Sequence, residues 1–516
     1  MTEVRRTPAF LIAFAAAIVL TGCATVDFDY PKVESSAIEP TDTLDTALGR
    51  QVTGLVADHS EDESGFHVIS DGKEALALRL HMMEEAEHTI DAQYFLIYDD
   101  LIGRVFVNAM LRAANRGVRV RFLLDDVLSK GLDPGLATLD SHENIEIRIY
   151  NPFAHRKARG MDAFSLGRIT RRMHNKSLTV DNQITLVGGR NIAGEYFDER
   201  DDVHFSDLDV MAIGPIVPEV SDSFDTYWNS RPAVPMQALA DAPDDAAARL
   251  DALEGRIQES FEDAKASIYA EAVRASVSQY DATDSIEFVW APYDLVYDSP
   301  GKSSSATWDE SKLITHQIRS AVDAKKELFV VTPYFVLTKD DIESFRKKRE
   351  EGVDITVITN SLATNNHSSV YGAYYPTRKP LLQMGIHLYE MRASLDEPAD
   401  EKLPKDAPIV TLHAKTFAVD RESIFVGSFN WNQRSVNRDT ELGVIIHSPE
   451  LATELVDRVN ERLPTRAFKV SLDDKDKTLW TIEEDGQEVV LTKAPQTGAW
   501  KRFSAWMARI VPRSQL

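Results

Sequence analysis

The chain has 516 residues, 43% of them hydrophobic and 27% charged, which suits several packed domains and excludes both a polytopic membrane protein and a mostly disordered chain. A net charge of −25 argues against a general nucleic-acid coat, leaving only local basic patches to hold anions. One cysteine excludes an internal disulfide framework and any multi-cysteine metal cluster.

Residues 1–22 form an export signal: Arg5 and Arg6 precede a twelve-residue apolar run, Ala9 to Leu20. Twelve residues are too few for a bilayer, which needs about 20. The run Leu20-Thr21-Gly22-Cys23 resembles the lipobox of bacterial lipoproteins, which implies acylation of Cys23 and a mature chain beginning there. By the same resemblance, Ala24 implies a lipid-anchored protein of the cell envelope, sorted to the outer membrane and facing the periplasm. Residues 23–60, rich in Asp, Glu, Ser and Thr with little apolar periodicity, are expected to be a flexible tether.

Next in the chain, Thr89 to Asp126 has a counterpart about 240 positions later, Glu327 to Asn360. Each copy predicts a strand holding Tyr-Phe, a helix with an acidic start and a glycine stop (Gly117, Gly352), and a Val/Ile-rich strand. A second pair follows at nearly the same offset, Met173 to Asn191 and Leu412 to Asn430. The fold class is therefore α/β: two duplicated α/β/α domains with mixed sheets packed side by side, spanning 61–235 and 286–465. Residues 236–285 are expected to be an acidic helical connector, and 466–516 a β-hairpin turning at Asp485-Gly486 followed by a basic amphipathic tail. In that tail Trp500, Phe503, Met507 and Ile510 share one helical face, with Lys501, Arg502, Arg509 and Arg513 around the other. Either the tail lies at a membrane interface or it docks its aromatics onto the domain.

The second pair carries the chemistry. His174, Lys176 and Asp181 repeat as His413, Lys415 and Asp420, an H-x-K-x4-D pattern on a strand leading to a hairpin turn. Residues two apart on a strand share a face, so each copy presents an imidazole beside an ammonium. The ammoniums neutralise a phosphodiester oxyanion, and two imidazoles suffice for a two-step reaction without metal or other cofactor. One ring forms a phosphohistidine, while the other protonates the leaving alkoxide and then activates the acceptor hydroxyl. Asp181 and Asp420 complete the catalytic motif, although their position at the turn favours a stabilising role there over direct catalysis. Asn191, Asn430 and Ser428, beside the glycines that end each hairpin, are candidate phosphate-binding donors. Asp207 and Glu441, at matching places downstream, are candidate orienters of the histidines. Asp201, Asp202 and His204 fit an ordinary surface turn better than a metal site.

This doubled motif resembles the phospholipase D superfamily. RRMHNKSLTVDNQITLVGGRNIAGEYF, DLDVMAIGP, TNSLATNN and GSFNWNQRSVNRDTELG resemble its bacterial cardiolipin synthase C-type branch. The resemblance implies transfer of a phosphatidyl group between phospholipids such as phosphatidylglycerol and phosphatidylethanolamine, with His174 as nucleophile and His413 as acid/base. With both half-sites in one chain a monomer is expected; the lipobox implies membrane attachment, the acidic balance and lipid anchor argue against a nucleic-acid partner, and the two-histidine scheme needs no cofactor. Gly189 stands where the second copy has Ser428, a departure between the halves. Hydrolysis, a nuclease of the same superfamily, and a non-catalytic lipid-binding lipoprotein are the alternatives.

Overall fold

The computed structural model describes residues 25–200, 202–253, 255, 286–303, 313–365 and 368–510. The leader, Cys23 and most of the acidic connector lie outside the described residues.

Both halves build the same sheet. In the first, the strand order is Ala233–Pro235, Ile145–Tyr150, Arg119–Asp125, Thr89–Tyr94, Ser177–Val180, Ile184–Gly188, Asp209–Ile213 and Glu63–Ile69. The second runs Ala467–Leu472, His387–Met391, Asp354–Asn360, Glu327–Val331, Thr416–Val419, Ser423–Gly427, Leu442–Ile446 and Val289–Tyr297. Three strands in each half are parallel, joined by helices such as Leu101–Asn115 and Lys339–Glu350, and the remainder are antiparallel. Helix ends follow local chemistry: Asp100 caps the first helix through the Gly103 amide, and Thr338 and Asp341 form a capping box on the second. Gly117 and Gly352 follow with φ of 98° and 90°, conformations that cost glycine little.

The two sheets join edge to edge where Glu63 to Phe66 pair with Pro292 to Val289. An apolar layer shared by both halves seals the contact, with Val187 and Val210 of the first against Phe329, Ile424 and Val426 of the second. The hairpin Thr478–Glu484 and Gln487–Leu491 extends the second sheet beyond Ala467–Leu472 rather than standing apart from it. Asp485 and Gly486 turn it with positive φ.

Residues 25–56 are not the flexible tether their composition suggests. They form a strap held to the first domain by its buried cations and turn residues. Arg121 donates to the Ser35 carbonyl, Arg148 to that of Val33, and Asn182 to that of Ile38. Asp225 accepts from the Ala37 amide, and the helix Ala47–Val56 buries Leu48 and Val52. Attachment of residues 33–38 runs through backbone groups and leaves no apolar periodicity to read, whereas the helix that follows packs Leu48 and Val52, four residues apart, into the core. Among the described residues no helix is long and apolar enough to cross a membrane.

Candidate active site

Each histidine precedes a hairpin strand and is fixed by backbone pairing with the opposite half. Val203–Ser206 and Ile409–Leu412 form a two-stranded parallel sheet between halves, and the His413 amide donates to the Ser206 carbonyl at 2.8 Å. Its pseudo-symmetric counterpart is the bridge between Met173 and Thr440, where the His174 amide donates to the Thr440 carbonyl at 2.8 Å. The residues after these acceptors are Asp207 and Glu441. Each carboxylate therefore arrives beside the other half's histidine: His413 Nδ1–H donates to Asp207 Oδ2 at 2.5 Å, and His174 Nδ1–H to Glu441 Oε2 at 2.8 Å. With Nδ1 committed, Nε2 is the ring nitrogen left to meet a substrate at His174, while at His413 it has the Lys415 ammonium 3.3 Å away.

The strand before each histidine is pinned from beneath by the end of the central parallel strand. Asp125 accepts from the Met173 amide at 2.9 Å, while Asn360 brackets Leu412, accepting from its amide and donating to its carbonyl. Sequence reasoning did not single out Asp125 or Asn360, although Asn360 closes its repeated segment and Asp125 stands one residue from the end of the other. It also passed over the aromatic walls. Phe95 meets the His174 ring edge-on at 4.9 Å, and Phe205 stacks on His413 at 5.2 Å while Tyr196 meets it edge-on at 5.0 Å.

These walls help bury both rings, and burial sets the protonation states. Burial, then the Lys176 and Lys415 ammoniums, hold His174 well below the ordinary imidazole range. Burial and Lys415 push His413 down to about 4. Burial likewise lowers Lys176 to about 7 and Lys415 to about 8. Lys176 acts on His413 and Lys415 on His174, so the two couples lie within one electrostatic field. The carboxylates differ. Burial opposes ionisation of Asp207, but Lys415 and His413 outweigh it and hold the acid well below its usual range; at Glu441 burial wins and raises it.

Ser428 and Gly189 occupy equivalent places for different reasons. Buried Ser428 donates its hydroxyl to Glu441 Oε2 at 2.5 Å and accepts from the Leu442 amide, so it serves the carboxylate rather than presenting a free donor to phosphate. A Cβ at Gly189 would stand 2.1 Å from Asp207 Oδ1, which leaves room for glycine alone. Asn191 and Asn430 are buried, the first donating to the Tyr196 hydroxyl at 3.0 Å, and their side-chain oxygens have no hydrogen-bond partner.

Asp181 and Asp420 lie at the far ends of their strands, five residues or about 17 Å from the motif lysines. Each is a clamp on backbone. Asp181 accepts from the amides of Glu87, His88 and Thr89, and Asp420 from those of Lys325, Lys326 and Glu327. Both hold positive φ, at 49° and 55°, which aspartate tolerates. Both carboxylates are thus engaged by the backbone amides that lead into Thr89–Tyr94 and Glu327–Val331. Asp202 and His204 are paired with Arg200 and Asp198.

A family model described as "Cardiolipin synthase, PLD-like domain" matches twice, at residues 80–228 and 314–463. The chain is 36% identical to "Cardiolipin synthase C" of Escherichia coli (strain K12), covering 90% of this chain and 98% of that protein. It is 22% identical to a "Cardiolipin synthase" of Staphylococcus aureus (strain Mu50), over 83% of this chain and 73% of that one. Among solved structures, phosphatidylserine synthase of Haemophilus influenzae Rd KW20 superposes with a TM-score of 0.50 at 13% identity, covering 81% of this chain and 91% of that chain, a likeness of fold.

Proposed function

Because this chain belongs to the phospholipase D-like cardiolipin synthase family, we propose that it is a phosphatidyltransferase of membrane phospholipids working through a phosphohistidine. The observation that carries this reading is the reciprocal pairing of His174 with Glu441 and His413 with Asp207, which commits each ring's Nδ1 to a carboxylate of the other half and supports a site shared by both rings.

In the first step the His174 Nε2 lone pair attacks phosphorus, the bond to the leaving alcohol's oxygen breaks, and His413 Nε2–H gives that oxygen its proton. In the second, the acceptor hydroxyl passes its proton to His413 while its oxygen attacks phosphorus and the phosphorus–nitrogen bond breaks. Burial keeps His174 neutral, as a nucleophile requires. His413 must carry a proton in the first step, and an anionic phosphodiester beside it, with Asp207 behind, supplies the field that lets it do so. Lys176 and Lys415 neutralise the phosphoryl oxygens; with both amides flipped, the Asn191 and Asn430 Nδ2 groups take the places of the unpartnered oxygens and donate to phosphate, Asn191 Oδ1 then accepting from the Tyr196 hydroxyl. Ser428 holds Glu441 in place.

Phosphatidylglycerol is the acceptor in this reading, and phosphatidylglycerol or phosphatidylethanolamine the donor. One chain supplies both half-sites. Acylated Cys23 tethers the protein to the envelope, at the periplasmic face of the outer membrane. Water in place of the acceptor would make the same site a hydrolase.

The test is incubation of the protein with labelled phosphatidylglycerol and phosphatidylethanolamine in EDTA. Cardiolipin formation, abolished by His174→Ala and by His413→Ala, supports the proposal. Cleavage of single-stranded DNA without lipid turnover, or silence on both substrates, overturns it.

A further inference from the structure

The tail helix Ala499–Met507 does not dock its aromatics onto the domain. It touches the helix Ser368–Gln383 through small residues instead: Ala505 is buried, and a Cβ on Gly372 would come within 2.8 Å of the Ala505 carbonyl. That close approach turns the large side chains outward. Trp500 is 77% exposed, Phe503 49%, Trp506 55% and Met507 44%. Their rings form a continuous ridge, Trp500 to Phe503 at 5.7 Å and Phe503 to Trp506 at 6.0 Å. Sequence periodicity had not included Trp506.

The helix carrying the ridge is tied to the segment before His413 through a single loop. Lys501 donates to the Ala363 carbonyl at 2.8 Å, in the loop that follows the strand Asp354–Asn360. In the same loop the Thr364 carbonyl accepts from Thr411 Oγ1, and Asn360 brackets Leu412, the neighbour of His413. Exposed Arg509 lies over the Tyr375 ring at 3.7 Å, and half-buried Arg502, the neighbour of Phe503 in the helix, donates to the Thr497 carbonyl. No acidic residue occurs from Gly498 onward, in a chain of net charge −25.

We infer that this ridge is the docking surface that sets the active-site mouth against a bilayer containing anionic phospholipid. Indole rings favour the boundary between headgroup and acyl chain, and the local positive charge on an acidic protein selects an anionic surface over a zwitterionic one. This rests on the phosphatidyltransferase reading for its purpose, though the binding itself does not. A Cys23 anchor fixes the chain to a membrane without orienting it; the ridge would supply the orientation.

The experiment uses the full chain carrying Cys23→Ala, with vesicles whose acyl chains bear bromine. Tryptophan quenching attributable to Trp500 and Trp506 is obtained by comparison with W500F/W506F. We expect quenching on phosphatidylglycerol vesicles, reduced at least about tenfold in apparent affinity by R502E/R509E. The triple substitution W500S/F503S/W506S should lower turnover of vesicle phospholipid at least about tenfold and leave turnover of monomeric short-chain phosphatidylglycerol unchanged. No quenching of this tryptophan pair, equal loss on vesicle and monomeric substrate, or self-association through the ridge with vesicle binding untouched would each overturn the inference. Quenching without turnover of any phospholipid would uphold the docking surface and sink the phosphatidyltransferase reading instead.

Discussion

Replacing Asp207 with asparagine isolates the part of the site that joins the halves. The carboxylate accepts from His413 Nδ1 at 2.5 Å and is buried, so the lost charge-assisted hydrogen bond is worth about 1.5–3 kcal/mol, or roughly 10- to 150-fold in rate. Asparagine can also donate to Nδ1, which fixes the proton on Nε2 and disables the ring as a base; inversion of a catalytic tautomer extends the loss to about 10⁴-fold. The expected fall in kcat is thus about 10²–10⁴-fold with the fold retained. Leaving-group dependence then identifies the step. If His413 protonates the leaving alkoxide, a phosphodiester with a p-nitrophenolate leaving group needs no proton in the first step, and single-turnover formation of the covalent intermediate recovers most of the loss. Glu441→Gln, acting on the nucleophile His174, should slow that step for both leaving groups. The assay is rapid quench with each substrate on each variant. Near-normal kcat for Asp207→Asn, or equal losses with both leaving groups, would refute the assignment of His413 as acid.

Asp181→Ala should act on stability: three backbone amides lose their acceptor, at about 1–3 kcal/mol for each one left buried and unpaired, while turnover per folded molecule stays near normal. Thermal unfolding and active-site titration together check this, and a kcat loss without destabilisation would return Asp181 to the catalytic set. Because Lys176 sits at about 7 and Lys415 at about 8, both lose their proton as pH rises through that range, so kcat/KM should fall above pH about 7–8 rather than near the usual lysine value. A basic limb near 10 in the pH profile would contradict the burial of these ammoniums. Cys23→Ala should leave turnover in detergent intact and make membrane association removable by high salt, read by fractionation; retention through a salt wash would contradict acylation as the anchor.

Much of this was legible in the sequence because duplication repeats local patterns. The hairpins at Asp181 and Asp420, the glycine stops at Gly117 and Gly352 and the turn at Asp485-Gly486 all depend on nearby residues, and each formed where its pattern lay. Pairing across the halves depends on packing and was beyond reach: Asp207 and Glu441 stood out as carboxylates, but which histidine each would meet follows from the Ser206 and Thr440 ladders. Ser428 and Gly189 looked like a donor present on one side only, whereas the structure gives the first to Glu441 and the second to the space Asp207 needs. The first part of the strap escaped notice because residues 33–38 are held by their backbone on buried Arg121 and Arg148, while the apolar spacing of Leu48 and Val52 in its helix was there to be read. Small-residue packing at Gly372 and Ala505 decided which face of the tail helix is outward, and helical spacing alone could not.

The central claim is that both imidazoles serve one phosphorus, with His174 taking the covalent step. Its most direct test is to mix the enzyme with labelled phospholipid, denature in alkali, where a phosphorus–nitrogen bond survives, and map the label by peptide mass spectrometry. The account predicts label on His174, accumulating in His413→Asn and absent from His174→Ala. Label on His413, or full turnover with no label on either ring, would contradict it.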